Sequence, residues 1–364
     1  MVQFESDQID SFIELVRLGL GNTSDCNPIS DANWGAVSKL AFQHGVGAIV
    51  FDGIQCCYDK NIPIKIDTQT KLEWIGSVHQ LEVEYKKQLD TIVSLARFYQ
   101  KHSIRMMVLK GYGLSLNYPK PNHRPCSDLD IFLFGEQKRA DRLVEEELGI
   151  KVDNSHHHHT VFVYQGLTIE NHYDFLNVYS HRSTRKIEDY LKKVSYSEYR
   201  AIKVGGAEIY LPSTNFDALF VLRHMAVEFA ATGMNLRQVI DWGLFIKNYH
   251  TVVRWHEFLL MVKEANMHYF LDAINYICYT YLGFDRKIFQ GFGDDSYGER
   301  VFADLFNPEN ALPKQKGVVK YIASRLQNWW RNRWRHRIVY SDSLCSTFMY
   351  QTYAHLMNPA TLHH

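Results

Sequence analysis

The chain has 364 residues, 46% of them hydrophobic and 14% aromatic, a composition that excludes a mainly disordered protein. Single cores stop growing near about 250–300 residues, so a chain of this length is expected to contain at least two packed units. Lys plus Arg and Asp plus Glu number 40 each, and this balance excludes a general attraction to nucleic acid or to an acidic membrane surface.

Segments typical of export or membrane insertion are missing from the sequence. It has no run of about 18 apolar residues. Residues 1–16 (MVQFESDQIDSFIELV) are acidic and amphipathic, unlike the basic and then apolar start of a signal peptide. The six cysteines form no CxxC pair, which argues against a zinc knuckle or a disulfide framework. We therefore expect a soluble, cytoplasmic protein that does not interact with membranes.

Residues 1–102 are expected to form an N-terminal helical segment. Breaks are predicted at residues 19–22, which contain two glycines, and around Pro63. One long helix is indicated by apolar residues at steps of three and four, which form a single stripe. Its members are Leu81, Tyr85, Leu89, Ile92, Ala96 and Tyr99.

Residues 103–212 show the alternation of strand and helix that is typical of an α/β core. A short apolar run that ends in Lys110-Gly111 predicts the first strand. The further elements expected are a short helix at 113–118, a proline-rich loop, a strand at 128–134, a helix at 136–148, and hairpins at 160–173 and 201–211.

Residues 213–364 are expected to form a C-terminal helical domain, because no convincing strand pattern remains there. Helical periodicity covers residues 214–231, 236–248, 254–266 and 315–337. The fold class predicted for the whole chain is therefore α+β, with a mixed-sheet core between two helical parts.

Three acidic residues of the core carry the chemistry. Asp128 and Asp130 alternate along one predicted strand and therefore point to the same face. Two adjacent carboxylates repel each other unless a cation neutralises them, and hard oxygen ligands suit Mg²⁺ or Mn²⁺. Glu170 alternates with apolar residues on a later strand and supplies a third carboxylate. The three are predicted to hold divalent metal ions for phosphoryl chemistry.

A turn rich in glycine precedes this acidic strand. Lys110-Gly111-Tyr112 follows the first strand, where a glycine lets the backbone approach a phosphate and the lysine adds a positive charge. Arg124 lies four residues before Asp128 and offers a planar guanidinium. We predict that these four residues contact the phosphates of a nucleotide.

Several motifs of this core resemble one known family. They are Val108-Leu109-Lys110-Gly111, Asn117-Tyr118-Pro119, Arg124 followed by Asp128-Leu129-Asp130-Ile131, and Ile169-Glu170-Asn171-His172. They resemble the signature of the uncharacterised nucleotidyltransferase family, within the superfamily of nucleotidyltransferases similar to DNA polymerase β. The resemblance extends over roughly residues 30–270.

The resemblance implies a nucleotidyltransferase-type core in which Asp128, Asp130 and Glu170 bind metal and the Lys110-Gly111 turn faces the triphosphate. The expected enzyme transfers a nucleoside monophosphate from a nucleoside triphosphate, with ATP as the expected type, to a hydroxyl acceptor and releases pyrophosphate. The sequence does not identify the acceptor, the preferred nucleobase or the oligomeric state. A catalytically degenerate member that only binds a nucleotide is an alternative.

Histidines provide a further alternative, a transition-metal protein. The run of residues 156–159 (HHHH) has two imidazoles on each face if it is extended. The favoured interpretation of the run is a loop or strand that borders the cleft, with His158 in contact with the substrate. His172 shares the strand face of Glu170, so it either contacts the metal region or the substrate or is a hydrogen-bonded structural histidine.

Two other patterns receive structural interpretations. His224 and Glu228, like Arg237 and Asp241, are four residues apart on predicted helices, and we expect core hydrogen bonding for the first pair and an intrahelical ion pair for the second. The basic and aromatic residues 329–337 (WWRNRWRHR) are expected to pack their tryptophans on the domain and leave their arginines in water. Nucleic-acid contact there is not favoured.

Overall fold

The protein is described by a computed structural model, whose described residues are 5–23, 29, 32–179, 181–307, 330–343 and 346–347. Four helices form the N-terminal part. They are α1 (Ser6–Gly19), α2 (Trp34–Gln43), α3 (Gly47–Asp59) and α4 (Thr68–Lys101). The breaks predicted at residues 19–22 and at Pro63 coincide with the end of α1 and with the loop before α4. Within the described ranges, no helix is both long enough and apolar enough to cross a membrane.

Helices α1 and α3 approach closely through glycines. A Cβ atom placed on Gly19 would lie 1.9 Å from the carbonyl oxygen of Ile49, and one placed on Gly53 would lie 2.1 Å from that of Leu15. Neither position has room for a side chain. The two helices therefore pack backbone against backbone at these points.

A six-stranded mixed sheet forms the central layer, in the order β3-β4-β2-β1-β6-β5. Its strands are β1 (Met107–Val108), β2 (Asp128–Phe132), β3 (His159–Tyr164), β4 (Leu167–His172), β5 (Tyr199–Val204) and β6 (Ala207–Pro212). The pairs β1·β6 and β2·β4 are parallel, and the other neighbours are antiparallel. This sheet confirms the predicted α+β class.

Both predicted hairpins are present. The turn between β3 and β4 contains Gln165 and Gly166, with φ of 52° and 73°, and the turn between β5 and β6 contains Gly205 and Gly206, with φ of 53° and 81°. Two consecutive residues of positive φ match the right-handed twist of the flanking strands. These turns therefore fix the pairing register of each hairpin, and the register determines which side chains point to each face of the sheet.

The two faces of the sheet bury different layers. One face packs against α4 and α6 (Gln137–Leu148), where Leu129 and Ile131 join the core. On the opposite face Phe132 joins the larger core that contains the C-terminal helices. Because side chains alternate along β2, Asp128 and Asp130 point to the same side as Phe132, towards those helices.

The remaining helices pack into the larger core on the side of that second face. They are α7 (Thr184–Ser197), α8 (Thr214–Ala231), α9 (Leu236–Tyr249), α10 (Trp255–Glu264), α11 (His268–Thr280), α12 (Gly298–Leu305) and α13 (Arg333–Val339). A short helix α5 (Lys110–Ser115) follows β1, so its start is three residues earlier than predicted. Most of the helix predicted at residues 315–337 lies outside the described residues.

The basic and aromatic stretch differs from its prediction in the residues that are described. Arg335 is fully buried and donates to Asp304 at 2.7 Å, whereas Trp330 is 61% exposed. Trp334 does pack on the core, edge-on to Phe229. The expectation that all of its arginines lie in water was wrong, because Asp304 on α12 supplies a partner that compensates the buried charge.

Candidate active site

The parallel pairing of β2 with β4 brings the predicted acidic residues together. Asp130 lies opposite Glu170, and Asp128 lies opposite Thr168. Partners in a parallel pair point to the same face, so Asp130 and Glu170 are neighbours although they come from different strands. Two residues further along, Phe132 lies opposite His172, so that histidine is on the same face of the sheet as Glu170 and next to it on β4.

The three carboxylates line an open cavity of about 350 Å³ between the sheet and helices α8 and α9. The predicted site residues that line it are Lys110, Gly111, Arg124, Asp128, Asp130 and Glu170. The opposite wall includes His224 and Glu228 of α8 and Arg237 of α9. The acidic residues are therefore accessible to a ligand of moderate size.

Asp130 is the buried centre of the acidic group, with 3% of its surface exposed. Its Oδ1 atom lies 2.9 Å from Nε2 of His172 and 3.1 Å from Nζ of Lys110. Burial alone would raise the pKa of Asp130, but the charges of Lys110 and His172 and their hydrogen bonds hold it well below its usual range. Asp130 is thus a carboxylate that is already held by two cations.

The same contacts act on the two cations. Burial opposes the charge of His172, yet the hydrogen bonds to Asp130 and Glu170 raise its pKa to about 9. Burial likewise opposes the charge of Lys110, and attraction to Asp130 raises the pKa of its amine. In His172 the second ring nitrogen, Nδ1, donates to the carbonyl oxygen of Asp174 at 3.1 Å.

The other two carboxylates leave ligand positions available. Burial and then repulsion from Asp130 raise the pKa of Asp128, whose carboxylate accepts a long hydrogen bond from Ser127 Oγ at 3.4 Å. Glu170 lies 3.5 Å from His172 through Oε2, and that contact lowers its pKa. A half-buried carboxylate whose ionisation is disfavoured by a neighbouring carboxylate fits a site that receives a divalent cation.

One oxygen or nitrogen from each of Asp130, Glu170 and His172 lies within 4.8 Å of the others, close enough to share a metal ion. Asp128 lines the same cavity but is not one of this closest set. The residues therefore fit a metal site with an added imidazole. Whether Asp128 completes it, as the sequence predicted, stays a prediction.

The model of the family described as uncharacterised nucleotidyltransferase matches residues 30–283, more than two thirds of the chain. The chain belongs to this family. A search of curated proteins finds no match. Among solved structures, the chain is similar to an antigenic nucleotidyltransferase-like protein from Paracoccidioides brasiliensis, with 14% identity and a TM-score of 0.30 over 44% of this chain and 76% of that one.

Membership of the nucleotidyltransferase family indicates a role in nucleotidyl transfer, and the turn after β1 has features that accord with it. Lys110 begins α5 with a φ of 34°, a conformation that is uncommon for a residue with a side chain. Such strain is often found at functional sites. It holds the lysine chain over the cavity, while Gly111 beside it adds no side chain to that wall.

Two predicted phosphate contacts have other partners. The Tyr112 side chain is 7% exposed and packs in the core on the α4 side, so only its backbone remains for a ligand. Arg124 lines the cavity, but its Nε and Nη2 atoms donate to Asp241 of α9 at 2.7 and 2.8 Å. Its Nη1 atom donates to Sγ of Cys126 at 3.0 Å. Arg124 therefore holds the wall of the cavity together.

His158 lies near His172, with ring centroids 5.7 Å apart, but it does not line the cavity. Its predicted contact with a substrate stays a prediction. Together with His159 it forms a separate histidine group, described below.

The structure adds a pair of residues that the sequence interpretation placed in the core. Nε2 of His224 lies 2.8 Å from Oε1 of Glu228, and their side chains are 38% and 42% exposed in the cavity wall. Gln238 donates to the other oxygen of Glu228 and so joins α9 to the pair. The signal in the sequence was two polar residues with helical spacing on an otherwise buried helix. Arg237 donates to the carbonyl oxygen of Pro125 at 2.8 Å, and no ion pair joins it to Asp241 in the described structure.

Proposed function

We propose that the protein is a metal-dependent nucleotidyltransferase that joins the nucleoside monophosphate of a nucleoside triphosphate to a hydroxyl acceptor. The observation that carries this proposal is the convergence of Asp128, Asp130 and Glu170 from two paired strands in one open cavity, beside Lys110. Family membership supports the same reaction class.

Asp130 and Glu170, with Asp128 from the same cavity wall, would hold the divalent cation. A bound Mg²⁺ or Mn²⁺ would activate the acceptor oxygen and offset the negative charge of the departing pyrophosphate. The imidazole of His172, fixed at Nδ1 by the carbonyl oxygen of Asp174, orients both Asp130 and Glu170. A fixed donor of this kind keeps carboxylates in a productive geometry.

Lys110 and Gly111 would form the phosphate side of the cavity. The Lys110 ammonium is held at the cavity floor by Asp130 and adds positive charge where the triphosphate enters. Gly111 leaves the backbone open for close approach of a phosphate oxygen. Arg124 keeps the adjoining loop in place through Asp241.

In the reaction the acceptor oxygen attacks the α-phosphorus, and the bond from that phosphorus to the bridging oxygen breaks, so that pyrophosphate leaves with the electron pair. Glu170 takes the proton of the acceptor hydroxyl. It is the carboxylate of the group that is 25% exposed, whereas Asp130 is closed off by two cations. The polar wall of His224, Glu228 and Arg237 lies across the cavity and would shape the acceptor pocket.

Calorimetry with a nucleoside triphosphate and Mg²⁺ tests the binding half of the proposal. The wild type is expected to bind, and the double variant Asp128→Asn plus Asp130→Asn to lose binding. Asp189→Asn, an exposed aspartate of α7, is the matched control and should bind like the wild type. Equal binding by the double variant and the control would exclude this site.

Pyrophosphate release across a panel of hydroxyl acceptors tests the chemical half. With Mg²⁺ and nucleotide at saturating concentration, Glu170→Gln is expected to release pyrophosphate about 10²–10⁴ times more slowly, because the positioned base is gone. If the wild type binds the nucleotide but releases no pyrophosphate with any of the acceptors, the result favours the alternative, a catalytically degenerate protein that only binds the nucleotide.

A further inference from the structure

Three histidine side chains converge at the end of the hairpin formed by β3 and β4. His159 is the first residue of β3 and pairs with His172, the last residue of β4. His158 directly precedes His159 in the chain. The ring centroids of His158 and His159 are 4.3 Å apart, and those of His159 and His172 are 5.1 Å apart. One nitrogen from each of the three lies within 4.8 Å of the others.

The histidine run is built into the fold. The backbone amides of Tyr173 and Asp174 both donate to the carbonyl oxygen of His158 at 3.1 Å. The hydroxyl of Tyr173 donates to the carbonyl oxygen of His156 at 2.9 Å. These bonds attach the backbone of the run to the end of β4 and so place its histidines beside His172.

Two nitrogens of this group have no hydrogen-bond partner among the described residues. They are the Nδ1 atoms of His158 and His159, both buried. His159 as a whole is 7% exposed, and its Nδ1 atom lies 3.8 Å from Oε2 of Glu170. A buried polar atom without a partner costs about 1–3 kcal/mol. Two such atoms on neighbouring rings, whose centroids are 4.3 Å apart, indicate a missing ligand.

We propose that His158, His159 and His172 bind a first-row transition-metal ion of the Zn²⁺ or Co²⁺ type, and that Nε2 of His172 releases its proton and its bond to Asp130 as it takes the metal. Imidazole is a preferred ligand of these ions, unlike the hard oxygen ligands that suit Mg²⁺. With zinc–nitrogen bonds of about 2.0–2.1 Å, two ligands of a tetrahedral ion lie about 3.4 Å apart, so small ring rotations close the present group. Glu170 lies nearby and offers a fourth ligand and a negative charge.

This site differs from the carboxylate site in the ligands His158 and His159, and it shares with it His172 and the proposed fourth ligand Glu170. His172 belongs both to the histidine group and to the group with Asp130 and Glu170. Asp128 belongs to neither group. A variant of Asp128 therefore disturbs the proposed catalytic site and leaves the histidine group intact, which separates the two proposals experimentally.

The test uses the full chain without an affinity tag, stripped of metal by a chelator that is then removed. Co²⁺ is titrated while its visible absorption is followed, and Zn²⁺ affinity is measured by competition with a coloured chelator. The wild type is expected to bind one equivalent of ion. His158→Gln plus His159→Gln is expected to weaken Zn²⁺ binding more than about 100-fold, because two of the ligands are lost.

The matched control is His156→Gln plus His157→Gln, which changes the same number of histidines in the same run but outside the group. It should bind Zn²⁺ like the wild type, and so should Asp128→Asn. Equal loss in the two double variants, unchanged binding in the first, loss in Asp128→Asn, or no binding by the wild type would each overturn the proposal.

Thermal unfolding of the metal-free proteins checks that each variant folds. If His158→Gln plus His159→Gln does not fold, the single variant His158→Gln, at a half-buried position before β3, replaces it. Zn²⁺ affinity is then compared between His158→Gln and the control His157→Gln. The first is expected to lose affinity and the second to keep it, and the outcomes that overturn the proposal stay the same.

Discussion

Arg124 donates two hydrogen bonds to Asp241, from Nε to Oδ1 at 2.7 Å and from Nη2 to Oδ2 at 2.8 Å. The hydroxyl of Tyr118 donates to the same carboxylate at 2.7 Å. All three side chains are buried. This pair joins the loop before β2 to helix α9, and so fixes the acidic strand relative to the helical wall of the cavity.

Replacement of Arg124 tests the importance of that pair. Arg124→Met is expected to lower the free energy of unfolding by about 3–5 kcal/mol, because Asp241 is left buried without its counter-charge. Adding Asp241→Leu should recover most of the loss. Urea unfolding measures both variants.

The control for this experiment is Arg139→Met, which removes an exposed ion pair with Glu136 whose side chains are 47% and 46% exposed. It should change the stability by less than about 1 kcal/mol. A double variant at Arg124 and Asp241 that is no more stable than Arg124→Met would contradict the role assigned to the pair.

Lys110 and a metal ion compete for the same oxygen of Asp130, which the lysine contacts at 3.1 Å. Lys110→Met is therefore expected to raise the affinity for Mn²⁺ alone about tenfold, and to lower the affinity for a nucleoside triphosphate by a similar factor. The free Mn²⁺ signal in electron paramagnetic resonance measures the first effect, and calorimetry the second. Lys101→Met, at a side chain that is 71% exposed, should change neither. A fall in Mn²⁺ affinity would refute the competition.

The acidic centre was predictable because it follows from local rules. Alternation along β2 places Asp128 and Asp130 on one face, and the glycine turns fix the hairpin that carries Glu170. Which strand pairs with β2 is not decided locally, but the alternation of Glu170 with apolar residues on a later strand was enough to predict the group.

The helical wall was not predictable in the same way. Four-residue spacing suggested that Asp241 pairs with Arg237 on one helix, but the packing of α9 against the loop before β2 gives Asp241 the buried guanidinium of Arg124. Helix α7 was also missed, although Ile187, Leu191 and Val194 form an apolar stripe on it. Spacing identifies an apolar face, and only tertiary packing decides which polar groups meet across it.

Asp217 makes stability depend on pH. It is 7% exposed, with Nη2 of Arg200 at 3.6 Å as a weakly compensating charge, and burial raises its pKa to about 7. In the unfolded chain an aspartate titrates near about 3.9. The folded state therefore holds this proton more tightly, and the resulting stability is complete below about pH 4 and is lost as the pH rises through about 7.

Asp217→Asn removes this titration. The variant is expected to match the wild type near pH 4 and to exceed its stability at pH 8 by up to about 4 kcal/mol. Urea unfolding at a series of pH values measures the difference. Glu188, whose pKa burial also raises to about 7, keeps part of the pH dependence in the variant. The exposed control Asp189→Asn should follow the wild-type curve, and a stability loss for Asp217→Asn at pH 8 would show that the charged form is favoured.

Replacing glycine by alanine is expected to have opposite effects on the free energy of unfolding at two helical positions, Gly53 of α3 and Gly76 of α4. Gly53→Ala would place a Cβ atom 2.1 Å from the carbonyl oxygen of Leu15 and push the helices apart, so it is expected to destabilise the fold by about 3 kcal/mol. Gly76→Ala, on the exposed side of α4 with nothing within 4 Å, should stabilise it by about 0.8–1 kcal/mol through helix propensity alone. Thermal and urea unfolding measure both. A stabilising Gly53→Ala would mean that α1 and α3 do not approach through their backbones.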